Sequence, residues 1–184
     1  TVLPSVFAMF ENKVQGVKWG EASSKIFIQA LGQQKMPALL VNCSPTVSNC
    51  ALAFCEEIGF TDITLFGVDL GYKSEQHHSK NSVYYKDEKD SGLYQQKAKY
   101  KIKCNFNPDD FVETDEIFKY SHSVLERTLA RSPHLKVKNC SDGAYIEGAC
   151  PIHSDSLVSS KIKDKAKLVL HITDKIKSSE IYSD

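Results

Sequence analysis

An α/β fold, with a parallel sheet flanked by helices, is predicted by three features of this 184-residue chain. The stretch ALLVNCSPTVSNCALAFCEEIGFTDITLFGVDLGY, residues 38–72, reads as strand, turn, helix, strand, the repeating unit of a parallel sheet. A second helix followed by a strand is legible over residues 114–139. Polar, turn-forming residues stand after the apolar runs, at residues 42–46, 69–72 and 141–143, where such sheets bind their ligands.

Before the central unit the signals are weak. Val6, Phe7 and Phe10 suit a short helix, the lone Trp19 suits packing, and residues 26–30 suit a strand. Residues 38–41 form a short apolar run entered from Pro37, the first strand of the unit. Ser44 is placed to cap the following helix, with Pro45 at a first helical position that tolerates losing its N–H. Val47, Cys50, Ala51, Phe54 and Ile58 recur at helical spacing and form the expected inner face. Gly59 stops this helix, and residues 63–66 make the next buried strand.

A polar loop follows Asp69 and carries His77 and His78 at its middle; loops of this length are usually functional or mobile. Residues 83–106 change character and read as a small lysine-rich β insertion. Lys97, Lys99, Lys101 and Lys103 alternate there with Ala98, Tyr100, Ile102 and Cys104. One solvated lysine face is the usual protection of an edge strand, and Tyr84 and Tyr85 are its expected pairing partners. Thr114 is the expected cap of the second helix, whose inner face is Ile117, Ser121, Val124, Leu125 and Leu129. Residues 135–139 alternate as a strand, residues 140–143 turn, and residues 144–151 read as irregular. From about residue 153 a lysine-bearing tail with Leu168, Val169, Leu170, Ile172 and Ile176 suits an amphipathic helix.

Composition narrows the function. Lys plus Arg and Asp plus Glu number 23 each, so no net charge draws the chain to nucleic acid. No apolar run approaches the ~20 residues of a membrane span, so neither nucleic acid nor membrane is an expected partner. The six cysteines contain no C-x-x-C pair, which points to free thiols in a reducing compartment. Cys43, Cys50, His77 and His78 match no standard zinc spacing, and no metal site is expected.

Four candidate sites remain. The helix start at residues 44–47 offers backbone N–H groups and a dipole to an anion, with the hydroxyls of Ser44 and Thr46 beside them. It has neither the P-loop nor the dinucleotide-binding glycine pattern. Asp69, just past a buried strand, suits a ribose hydroxyl, a metal or a neighbouring loop N–H. Of the loop histidines, His78 suits a general base near neutral pH, and Ser141-Asp142-Gly143 closes the crevice from another strand end.

Four pieces taken together, in order over residues 37–152, form a pattern: CSPTVSNCALAFCEEIGFTDITLFGVDLGY, HHSKNSVYY, the T-x-x-I-F helix and VKNCSDGAYIEGACPI. This set resembles the central domain of the bacterial motility accessory factor family. That family is similar to the bacterial sialyltransferases and shares a domain with archaeal hydroxymethylpterin diphosphokinases. The resemblance implies a Rossmann-like domain over residues 1–152, the insertion included, and a helical tail over residues 153–184. It implies a cytoplasmic, nucleotide-sugar-dependent glycosyltransferase that moves a nonulosonic, sialic-acid-like sugar from a CMP-linked donor to Ser or Thr of flagellin, without a metal cofactor. Ser44, Thr46, Asn49, Asp69, Tyr72, Ser141, Asp142 and Gly143 are then nucleotide-binding, and His78 is catalytic. The family's glycine-rich N-terminal nucleotide loop is not found, which implies a C-terminal fragment of a larger protein with an incomplete nucleotide site. Cys43-Ser44 stands where the family has a turn glycine, and His77 and Ser79 replace the residues flanking its loop histidine. Two alternatives stay open: a Mg²⁺-dependent diphosphokinase acting on a pterin-like alcohol, and a non-catalytic scaffold that binds flagellin or a carrier.

Overall fold

The computed structural model describes residues 40–72 and 100–158, and farther on Asp164, Ala166, Lys167, Val169, Leu170, His171 and Asp174. The chain divides into two compact units, Thr1–Leu39 and Leu40–Asp184, and every described residue belongs to the second. The expected elements before residue 40, the His77–His78 loop, Tyr84, Tyr85, Lys97 and Lys99 lie outside the described residues.

In chain order the described elements are α1 (Val47–Glu57), β1 (Asp62–Leu65), β2 (Tyr100–Lys103), β3 (Phe111–Thr114), α2 (Glu116–Arg131), β4 (Lys136–Asn139) and β5 (Ala149–Pro151). A short 3-10 turn, Ser154–Ser156, follows. β1, β4 and β5 form a three-stranded sheet in the order β1-β4-β5, parallel throughout, and β2 and β3 form a separate antiparallel hairpin. This is the α/β architecture expected from the sequence, a parallel sheet with helices against it.

The core is one cluster. Leu52 of α1, Leu65 of β1, Val112 of β3, Leu125 and Leu129 of α2, Val137 of β4, Ala144 and Ile146 of the last crossover, and Ala149 of β5 meet in it. Leu52, Leu125 and Ile146 are at most 2% exposed, and burying each such side chain contributes about 1.5–3 kcal/mol. Part-buried polar contacts also tie the segment around α1 to that around α2. The Asn42 amide donates to Thr128 Oγ1 at 3.1 Å, and Ser132 Oγ donates to Glu56.

Helix ends show where local signals succeed. Gly59 adopts φ 91°. Its N–H reaches Glu56 O at 2.9 Å, and the N–H of Phe60 reaches Cys55 O at 2.9 Å. This is the double closure of a Schellman motif, which glycine permits because it lacks a Cβ. At the start of α1 the expectation needs correction: the cap is Thr46, not Ser44, and the Asn49 side chain returns to accept from the Thr46 N–H at 3.1 Å.

Other expectations are corrected by tertiary packing. Leu40 is irregular and Val41 and Asn42 form a turn in which Asn42 has φ 60°, so no strand runs up to residue 41. Asn is among the few residues that enter this left-handed region readily. The buried face of α1 is Asn49, Leu52 and Ala53, while Val47 is 82% exposed. The helix is turned because Asn49 finds a polar partner on α2. Thr114 closes β3 instead of capping α2; the cap is Asp115, whose carboxylate accepts from the Phe118 N–H at 2.9 Å. Ile117 is exposed, and Thr128 joins Ser121, Val124, Leu125 and Leu129 on the inner face.

The alternation of β2 holds, with Lys101 and Lys103 exposed and Tyr100 and Ile102 half-buried. Its described partner is β3, through pairs such as Ile102 with Val112. Residues 144–151 contain β5, which has only three residues and stands because β4 offers it a parallel edge. In the tail, Ala166, Lys167, Val169, Leu170, His171 and Asp174 are helical, and Val169 and Leu170 are more than half exposed. No described helix is long and apolar enough to cross a membrane.

Candidate functional site

Two loops leave the carboxyl ends of adjacent parallel strands, residues 66–72 after β1 and residues 140–148 after β4. They are bound to each other edge to edge. Ser141 Oγ accepts from the Val68 N–H at 2.7 Å, and the Ala144 N–H donates to Asp69 O at 2.8 Å. Gly143 packs so closely on the Asp69 backbone that a Cβ there would lie 2.1 Å from the Asp69 carbonyl oxygen. The loop after β4 is shaped from within by Asn139, whose Oδ1 accepts from the Ser141 N–H at 3.0 Å. That is an Asx turn, a local fold which Asn makes with its own backbone two residues on.

The loop after β1 is held on its other side by the hairpin. Tyr72 and Glu113 exchange backbone hydrogen bonds of 2.8 and 3.0 Å, and Thr114 Oγ1 donates to Leu70 O at 2.9 Å. Leu70 is buried yet has φ 50°. For a bulky residue this backbone costs on the order of 1–3 kcal/mol and persists only where neighbours hold it. The strained position lies next to Asp69, which is exposed, as is Asp142 across the crevice. Tyr72 is buried, and its phenol is pushed above the usual range, by burial first and then by Asp115 and Glu113.

The start of α1 is organised differently. Asn49 is 1% exposed. Its Oδ1 accepts from the Thr46 N–H and from the hydroxyls of Thr46 and Ser121 at 2.7–3.1 Å, and its amide donates to Ser121 O at 2.9 Å. Thr46 and Asn49 thus turn toward α2 and spend their hydrogen bonds inside the fold, while Ser44 is half-buried. Replacing Asn49 by Ala is expected to cost ~2–4 kcal/mol, because it strands the Thr46 N–H and takes their acceptor from the Thr46 and Ser121 hydroxyls. That is a fall in Tm of roughly 5–15 °C, readable by calorimetry.

Of the residues singled out in the sequence, Asp69, Ser141, Asp142 and Gly143 are brought together at the two strand ends, with Tyr72 at the far end of the same loop. Ser44, Thr46 and Asn49 stand at the start of α1, and His78 lies outside the described residues. Ser141 and Gly143 act on neighbouring backbone: one through its hydroxyl, the other by having no side chain. Asn139 and Thr114 were not read as site residues; Thr114 was read only as a helix cap. Asn139 had a readable signal, an Asn two residues before a Ser in a turn; Thr114 had none, since its partner is 44 residues away.

A groove of about 520 Å³ lies between β2 and α2, with Tyr100, Glu116, Lys119, Tyr120, His122 and Glu126 among its walls. His122 Nε2 stands 2.6 Å from Tyr145 O, which fixes that nitrogen as the protonated one, because a carbonyl only accepts. Tyr100 donates to Glu116 at 2.7 Å, which pushes its phenol up, and the Lys119 ammonium sits 3.6 Å from its ring centre. Cys43, Cys50, Cys55, Cys104, Cys140 and Cys150 are all free, and burial pushes the thiols of Cys50 and Cys55 up. Among the described residues no group of three or more His, Cys, Asp or Glu is gathered as a metal site would require.

Fold and site together define a parallel α/β domain whose polar loops gather at the carboxyl ends of its strands, the usual seat of a small ligand in this class. Among solved structures the chain is similar to the MAf glycosyltransferase from Magnetospirillum magneticum AMB-1, at 26% sequence identity and a TM-score of 0.54 over 77% of its length. It spans only 19% of that protein. The likeness bears out the relation to the motility accessory factor family that the sequence motifs implied. No family model and no curated protein matches the chain.

Proposed function

We propose that this chain is the nucleotide-facing part of a glycosyltransferase that moves a nonulosonic sugar from a CMP-linked donor to a Ser or Thr hydroxyl, with flagellin as acceptor and the cytoplasm as the place of reaction. The observation that carries the reading is the 26% identity to the MAf glycosyltransferase over 77% of this chain. In the reaction the acceptor oxygen bonds to the anomeric carbon as the bond from that carbon to the CMP phosphate oxygen breaks. The hydroxyl proton goes to a base, and CMP leaves with the bonding pair. His78 is our candidate for the base.

The chemistry of the crevice supports a division of labour. Carboxylates accept hydrogen bonds and repel phosphate, so Asp69 and Asp142 suit ribose or sugar hydroxyls. The first turn of α1 carries no acidic residue, so its N-terminal dipole is available to a phosphate. Ser44 stands just before it. Neither role calls on a metal.

Calorimetry on the full-length protein tests the reading. CMP is expected to bind without Mg²⁺ and more tightly than ATP. Binding of ATP that depends on Mg²⁺ would move the reading to a diphosphokinase, and failure to bind any nucleotide would move it to a scaffold.

A further inference from the structure

We infer that Asn105 is a positioning residue of the candidate site, a clamp by which the lysine-bearing hairpin sets the backbone of the loop after β4. This rests on the reading above only for the ligand named in the test.

Asn105 is two residues past the end of β2 and 5% exposed. Its side-chain amide donates twice, to Asn139 O at 3.0 Å and to Ser141 O at 3.0 Å, and its backbone N–H donates to Gly143 O at 2.8 Å. One residue therefore satisfies three carbonyls of a single five-residue turn that lies 34 to 38 positions along the chain. The contact continues on its flank, where Cys104 bridges Ala144 and the Tyr145 N–H donates to Lys103 O at 2.8 Å.

The side-chain oxygen is the telling atom. Asn105 Oδ1 is buried with no hydrogen-bond partner among the described residues, a state that costs stability and that few native groups show. A side chain kept for stability alone would not bury an idle acceptor. What a carboxamide supplies here is two N–H donors on one nitrogen, spaced to tie the Ser141 carbonyl to that of Asn139, which also accepts from the Ile152 N–H at 3.1 Å. Neither Asp, Ser nor Leu offers that. The carbonyls so held belong to Asn139, which makes the Asx turn, and to Ser141, which clamps Val68. Asn105 thereby acts on Asp142 and Asp69 through the two loops without touching a ligand.

Asn105→Asp is the sharpest test, with Asn105→Ala beside it, both in the full-length protein. An ionised carboxylate would point an oxygen at the two carbonyls, whereas the protonated acid donates to one of them. The Asp form is thus expected to be best tolerated below the ordinary Asp pKa of ~3.9 and to fail as pH rises through its raised folded value. Asp69, Asp109, Asp110 and Asp142, the carboxylates on the segments packed here, are common to every variant and cancel in comparison with wild type at the same pH.

Two readouts are taken at pH 7.5 and pH 5. Amide hydrogen exchange reads the loop without any ligand, and CMP titration reads the site. The expected result at pH 7.5 is faster exchange confined to residues 66–70 and 139–145 in both variants, with CMP bound at least about tenfold more weakly. At pH 5 the Asp variant regains part of this and the Ala variant does not. If wild type binds no CMP but the exchange pattern is local and pH-reversible, the clamp stands and the nucleotide reading falls. Exchange raised evenly over α2 and the sheet, with CMP affinity of the folded protein unchanged, would show a general stabiliser and overturn the inference.

Discussion

Gly143→Ala is expected to be the most damaging single substitution in the described residues. Its Cβ would lie 2.1, 2.3 and 2.5 Å from the carbonyl oxygen, Cα and carbonyl carbon of Asp69. All three are backbone atoms, so no side chain can swing aside. The two strand-end loops must separate, and with them go the bonds from Ala144 N–H to Asp69 O and from Asn105 N–H to Gly143 O. A loss of more than ~3 kcal/mol follows, a fall in Tm of at least ~10 °C if the protein folds at all. Gly67→Ala is the control. That residue has φ 65° but nothing within 4 Å of a new Cβ, so only the backbone preference is lost, about 1–2 kcal/mol. Equal melting temperatures for the two variants would show that the loops are not in the close contact described.

The second large effect concerns turnover. His78→Gln in the full-length protein is expected to lower kcat by ~10²–10⁴ with CMP affinity little changed, the signature of a lost proton-transfer group. The motive is the family resemblance together with the place of His78 in the sequence, nine residues after Asp69. His77→Gln is the comparison, since the family pattern has no histidine there. A base and a proton donor to the departing phosphate predict opposite limbs of the pH-rate profile, so the profile assigns the role. Wild-type turnover in both variants would remove the loop histidines from the mechanism. His122, which lines the groove between β2 and α2 with one ring nitrogen already engaged, would be the next histidine to test.

What the sequence determined by itself was local. Gly59 ends α1 because a left-handed residue closes the last turn, and nothing distant is needed for that. Most of the inner face of α2 (Ser121, Val124, Leu125 and Leu129) and the alternation of β2 and β4 follow from periods of 3.6 and 2. The helix-strand succession of α1 with β1 and of α2 with β4 was legible too, and from it the parallel sheet and the strand ends where polar loops collect. The motif residues Asp69, Ser141, Asp142 and Gly143 were found for the same reason, by standing just past apolar runs.

Only the tertiary structure decided which of them serve the fold. Asn49 and Thr46 read as polar residues at a helix start, but Ser121, 72 residues from Asn49, turns them inward. With that the buried face of α1 shifts from the apolar set headed by Val47 to Asn49, Leu52 and Ala53. Thr114 reads as a cap until Leu70 O accepts its hydroxyl. β3 and β5, four and three residues long, were not read as strands, and each exists because a partner strand satisfies its backbone. Gly143 reads as a turn glycine, yet what requires it is the Asp69 backbone against its Cα. The physical reason is common to all of these. Caps, turns and periods are settled by neighbours in the chain, whereas the partner of a buried hydrogen bond or the atom across a tight contact is chosen by the fold.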